Sequence, residues 1–223
     1  MIDYYPPLVP GEFFHVFNRG NNRENVFYRP GNAAYFLGKY TKYLLPVLNT
    51  YAYCLLPNHF HLLVRVKTAE EIIEVGRSNV DLPGLQDLEG LVVRGEVPVI
   101  AQFVSKLVSE QFRLLFMSYA KAINKQEDRV GSLFQKNFKR LCVKSEDHLL
   151  NLVLYIHANP QLHGLCDDFQ DWVDGSFATM LSSNPTRLCR NEVLSWFGGK
   201  KEFVLRHNEY IDWKMAGEWM IEE

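Results

Sequence analysis

The chain has 223 residues, 47% hydrophobic and 22% charged, a composition suited to one globular domain, alone or with an appendage. Its net charge of −2 excludes a protein drawn to nucleic acid or acidic membrane by bulk charge alone, but it allows a local basic groove. No stretch approaches the ~20 apolar residues of a membrane span, the opening residues Met1–Pro7 lack an export signal, and the four cysteines (Cys54, Cys142, Cys166, Cys189) show no CxxC spacing. The expectation is therefore a cytoplasmic protein with reduced cysteines and no membrane partner.

Phe13 to Arg19 reads as a strand, ended by Gly20–Asn21–Asn22. Ala33 to Leu48 reads as a helix, with Phe36, Leu37, Tyr40 and Leu44 at helical spacing. Thr50–Leu56 and His59–Lys67 are two β-rich runs joined by the turn signal Pro57–Asn58, a hairpin. Thr68 to Pro98 is broken by Gly, Pro and acids and reads as an extended or partly ordered insertion. Val99 to Lys125 is a long helix, and Gly131 to Val143 a loop entering a strand. Ser145 N-caps the next helix, which Pro160 is expected to stop because the residue before a proline is pushed out of helical geometry. The order β-α-β-β-α-β-α predicts an α+β, ferredoxin-like split βαβ fold, an antiparallel sheet covered by helices on one face. Residues 1–184 form the expected main domain, with an insertion at about 68–98, and 185–223 a helical C-terminal appendage.

His59 and His61 lie two apart in the second arm of the hairpin. Side chains at i and i+2 on a strand share a face, roughly 7 Å apart along the backbone, so two imidazoles can converge on one cation. Phe60, Leu62 and Val64 take the opposite face. The bland alternative is a pair of half-buried polar residues. The motifs of a zinc deaminase (His-x-Glu with Pro-Cys-x-x-Cys) and of a helical HExxH protease are absent.

Tyr155 lies near the end of the helix that Ser145 opens, and Asn159 follows at i+4 on the same face. A tyrosine hydroxyl can attack a phosphodiester when the phosphate is polarised, and an amide oxygen suits a hard divalent cation. The alternative is a core aromatic on a Leu-rich helix. His157, on another face, reads as a cation near the helix C-terminus.

Four segments together resemble the REP-associated tyrosine transposases, within the single-tyrosine HUH transposases. Tyr53 to Val64 resembles the HUH signature, Tyr155–Ile156–His157–Ala158–Asn159–Pro160 the tyrosine motif, Phe14 to Gly20 the first strand, and Gly131 to Lys139 the segment before the tyrosine helix. The resemblance spans roughly residues 13 to 180. It implies a ferredoxin-like fold and metal-dependent cleavage and strand transfer of single-stranded DNA, hairpin-forming, through a 5′-phosphotyrosine. It further implies that His59, His61 and Asn159 hold a divalent metal, Mg²⁺ or Mn²⁺, that Tyr155 is the nucleophile, and that the protein works as a monomer or homodimer. Some relatives carry Gln at the third ligand position.

Arg19, Lys136, Lys139 and Arg140 are the candidate phosphate contacts, with solvated surface charge as the alternative for each. Three rivals stay open: a non-catalytic, domesticated hairpin-binding protein, an HUH replication nickase, and an unrelated metal hydrolase. The nickase often carries a paired tyrosine and a helicase, and the hydrolase needs a carboxylate-rich site.

Overall fold

The computed structural model describes residues 3–78 and 82–215. Four strands form one antiparallel sheet in the order β2-β3-β1-β4, with β1 Phe13–Arg19, β2 Leu48–Leu56, β3 His59–Val66 and β4 Lys139–Cys142. That is the split βαβ order expected. The central β1–β3 register sets Phe17 opposite His61 and Arg19 opposite His59. Alternation along β3 divides its side chains between two cores. Phe60, Leu62 and Val64 enter one core with Phe36, Tyr40, Phe112 and Leu115, and Leu63 enters another with Val153, Ile156 and Phe203.

Helices α1 (Asn32–Tyr43), α2 (Ala69–Arg77), α3 (Leu85–Arg94) and the 30-residue α4 (Val97–Gln126) build the first core. Helices α5 (Glu146–Leu162), α6 (Phe177–Leu181), α7 (Arg190–Trp196) and α8 (Lys200–Met215) build the second. The sheet is therefore covered on both faces, a correction to the one-face expectation. The cause is the apolar set Leu152, Val153, Ile156, Val193, Phe203 and Ile211, which needs a second surface to bury against. Each such large side chain taken out of water contributes ~1.5–3 kcal/mol. Beyond residue 185, Cys189 and Trp196 meet β2 at Thr50 and Tyr51 and α8 packs on α5; Glu218, Glu222 and Glu223 of the expected appendage lie outside the described residues.

Two further expectations are corrected. The span from Thr68 to Pro98 holds α2 and α3. Thr68 and Glu71 form a reciprocal capping box that starts α2, and Gly84 and Gly95, both at positive φ, bound α3. Pro160 does not end α5, which continues to Leu162. Only the bond its missing N–H would make is lost, and the turn still closes through His163 N–H donating to Asn159 O at 3.0 Å.

Both sheet edges are occupied. Leu55 N–H donates to Asp174 O, Ser176 N–H to Tyr53 O and Cys189 N–H to Thr50 O along β2, while Arg140 N–H of β4 donates to Tyr4 O. The four cysteines are free thiols. No helix among the described residues is long and apolar enough to cross a membrane.

Candidate active site

Three elements meet on the second face of the sheet. β3 supplies His59 and His61, β1 supplies His15 and Phe17, and α5 supplies Tyr155 and Asn159. The His59 and His61 rings stand 5.1 Å apart and nearly perpendicular. The Tyr155 ring meets His61 edge-on at 5.4 Å and His15 at 6.0 Å. Tyr155 is half-buried, and Asn159 is fully buried beside His59. The two separate stretches singled out in the sequence are thus side by side within one chain.

The hydrogen bonds fix how the imidazoles face. Asn58 Oδ1 can only accept, so at 2.6 Å it takes the proton of His59 Nδ1 and leaves Nε2 with a lone pair. Asn58 Nδ2 donates to Arg23 O at 3.4 Å, which is consistent with that orientation of the amide. His61 Nδ1 lies 2.9 Å from His15 Nε2. If His61 Nδ1 donates there, His61 Nε2 also holds a lone pair. Both Nε2 atoms are buried without a hydrogen-bond partner, and so are Oδ1 and Nδ2 of Asn159. Buried polar atoms are nearly always paired, and an orphan calls for an explanation such as an ion. Four orphans in one place, two imidazole nitrogens and one amide, fit a divalent cation. No group of three His, Cys, Asp or Glu suited to a metal occurs among the described residues; the donor set here takes its third member from an amide.

Electrostatics keeps these imidazoles neutral, the state in which an imidazole can bind a metal. Burial, then the nearby His163 and Arg19, lowers the His59 pKa to about 4. Burial, then His15 and His59, holds His61 well below its usual value, and burial and His148 bring His15 to about 3.

Arg19 and Lys139 line a small recess with His59, Phe17 and Gln135. The Lys139 ammonium sits over the rings of Tyr4 at 4.8 Å and Phe17 at 5.6 Å. The Arg140 guanidinium holds the amino-terminal segment, its Nε donating to Pro6 O at 2.6 Å, and also packs over Phe138. Lys136 is exposed on the loop before β4 and outside that recess.

Sequence reasoning gave no role to His15, Asn58 or His163, whose ring stands 5.2 Å from His59. His15 carried a usable signal, being two residues from Phe17 on a strand, but its partner depends on the β1–β3 register. The reading of His157 as a helix-end cation is corrected. It is buried and neutral, with Nδ1 2.8 Å from His207 Nε2 and Nε2 2.7 Å from Ser176 Oγ.

No family model and no curated protein matches the chain. A solved structure, "Structure of the REP associates tyrosine transposase bound to a REP hairpin", matches 83% of this chain and 89% of that one, at 15% identity and a TM-score of 0.49. The chain is similar to that transposase. A likeness of this size carries no argument about activity, which has to come from the side chains.

Proposed function

We propose that this protein cleaves and rejoins single-stranded DNA through a covalent 5′-phosphotyrosine at Tyr155. The observation that carries the reading is the set of unpartnered buried atoms, Nε2 of His59, Nε2 of His61 and the Asn159 amide, beside the Tyr155 ring. The four-segment sequence resemblance supports it independently.

His59, His61 and Asn159 would hold the metal, Mg²⁺ or Mn²⁺, which when bound neutralises charge on the non-bridging oxygens of the scissile phosphate. Asn58 fixes the tautomer of His59, and a proton given by His61 Nδ1 to His15 Nε2 would leave His61 in the ligating form. Arg19, opposite His59 in the sheet, and Lys139 place positive charge where the strand backbone approaches. The phenol oxygen of Tyr155 attacks phosphorus. A tyrosine O–P bond forms, the P–O3′ bond breaks, and the phenol proton passes through solvent to the departing 3′ oxygen. The phosphotyrosine retains the energy of the broken link, so a second 3′ hydroxyl reverses the step without a nucleotide cofactor.

The test is incubation of the protein with 3′-end-labelled, hairpin-bearing single strands and Mn²⁺, resolved on denaturing gels. A labelled protein adduct is expected from the native chain and none from Tyr155→Phe, which still binds the DNA. An adduct formed equally by Tyr155→Phe removes the nucleophile from this reading. The absence of any adduct from the native chain with a range of hairpins reduces the protein to a DNA binder.

A further inference from the structure

On the opposite face of the sheet from the histidines, a half-open groove of about 620 Å³ lies between α4 and the loop before β4. Its floor is aromatic. The Phe116 ring packs on Phe134 at 4.9 Å and on Phe138 at 5.7 Å. Its rims are Tyr5 and Met117, 50% and 52% exposed. Amide groups of Asn18, Gln135 and Asn137 line the same space.

The groove is held rigidly. Gln135 N–H donates to Arg19 O at 2.8 Å and Asn21 N–H to Leu133 O at 2.9 Å, and Gly20 bridges Phe134. These pairings continue the strand ladder past the end of β4. Asn18 and Gln135 also line the recess that contains His59, Arg19 and Lys139. The recess with its two cations and the aromatic trough edged with amides therefore adjoin at Asn18 and Gln135. That sequence of surfaces matches a nucleic-acid strand: charge for phosphate, flat apolar surface for a base, and amides for the base edge.

We propose that this groove seats an unpaired nucleobase of the DNA strand whose phosphate lies at the histidine site. The proposal rests on the function proposed above and extends it to the substrate, which must carry at least one unstacked nucleotide further along the strand from the scissile phosphate. The base lies between the Tyr5 ring and Met117 over Phe116, and the side-chain amides of Gln135 and Asn137 meet its edge.

The test uses the full chain in EDTA, so that no strand is cut. Fluorescein-labelled oligodeoxythymidylate 12-mers are compared with abasic deoxyribose-phosphate strands of the same length. Base stacking on side chains predicts that the abasic strand binds roughly 5- to 150-fold more weakly. Tyr5→Ala with Met117→Ala, both at exposed positions, is expected to bring the thymidylate strand close to the abasic level and to leave abasic binding unchanged. Equal binding of the two strands by the native chain, or an equal loss on both in the double variant, overturns the proposal. A second measurement bears on place. Strands bearing 5-iododeoxyuridine are expected to photocrosslink to residues 113–119 or 132–138, and crosslinks confined to other segments also overturn it. Base-dependent binding without any Tyr155 adduct refutes the cleavage reading and leaves the groove standing, whereas an adduct without base dependence does the reverse.

Discussion

Replacing His15 by Leu tests the hydrogen-bond logic of the site. For His61 Nε2 to offer a lone pair, its Nδ1 must carry the proton, and the recorded partner of that proton is His15 Nε2 at 2.9 Å. His15 is 6% exposed and His61 fully buried, so water is poorly placed to substitute. Leu at position 15 leaves a buried N–H without its acceptor, which costs about 1–3 kcal/mol of stability. It also removes the preference for the ligating tautomer. Loss of such an outer partner typically weakens metal binding by about 10- to 100-fold, equivalent to ~1.4–2.7 kcal/mol. Calorimetric titration of Mn²⁺ into native, His15→Leu and His15→Gln protein reads this directly, because the Gln side-chain oxygen can accept the His61 proton and should restore part of the affinity. Thermal melts of the same variants without metal separate fold from site. A His15→Leu protein that binds Mn²⁺ within twofold of native, while His61→Ala does not bind, would refute the tautomer argument and leave His15 as packing.

Arg19→Ala should lower the dependence of log affinity for single-stranded DNA on log salt by about 0.7, the loss of one phosphate contact, and a salt titration that leaves the slope unchanged makes Arg19 a surface charge. Stability should fall in mild acid. Burial lowers the His207 pKa from 6.5 to about 4, so the unfolded chain binds a proton that the fold refuses. The stabilisation is complete above pH 6.5 and is lost as pH falls toward 4, at a cost of roughly 3 kcal/mol from this group. Melting temperatures at pH 6.5 and 4.5 check the sign, and a flat profile contradicts it; His207→Gln should lessen the fall. Thr68→Ala removes one half of the α2 capping box and should cost about 1 kcal/mol, read from denaturant midpoints at constant slope.

The parts of the site that follow from local periodicity were legible. Alternation alone put His59 and His61 on one face of β3 with Phe60 and Leu62 on the other, and helical spacing alone put Tyr155 and Asn159 together. What required long-range pairing was not legible. His15 acquires its partner only through the β1–β3 register, and His157 is buried only because α8 arrives on α5. The second helical layer was missed because residues beyond 185 offer polar-interrupted helices whose apolar positions mean little until a surface is supplied. The Thr68–Glu71 box was readable at its usual spacing but was obscured by the Gly, Pro and acids that follow. Pro160 misled because a proline in the last turn removes one bond without forcing the chain out.

The second layer also explains how Tyr155 can be carried on a helix outside the split βαβ unit and still be placed against the strand histidines. α5 presents Tyr155 and Asn159 toward β3 and turns His157 away from them, where its Nε2 meets Ser176 Oγ. That hydroxyl takes the Tyr53 N–H of β2 at 2.8 Å. On the far side, His157 Nδ1 meets His207 Nε2, and His207 Nδ1–H donates to Phe203 O at 2.7 Å. With that last donor fixed, His207 Nε2 must accept from His157 Nδ1–H, and His157 Nε2 must accept from Ser176. The chain of protons thus runs one way, every member is satisfied, and it ties β2 to α5 and α5 to α8. Because β2 and β3 form one hairpin, the tie that orients the helix is made to the strand paired with the one that bears His59 and His61. A shift of α5 would break a buried polar chain on one side as it displaced Tyr155 on the other, so the geometry of the site is held by contacts that never touch the substrate.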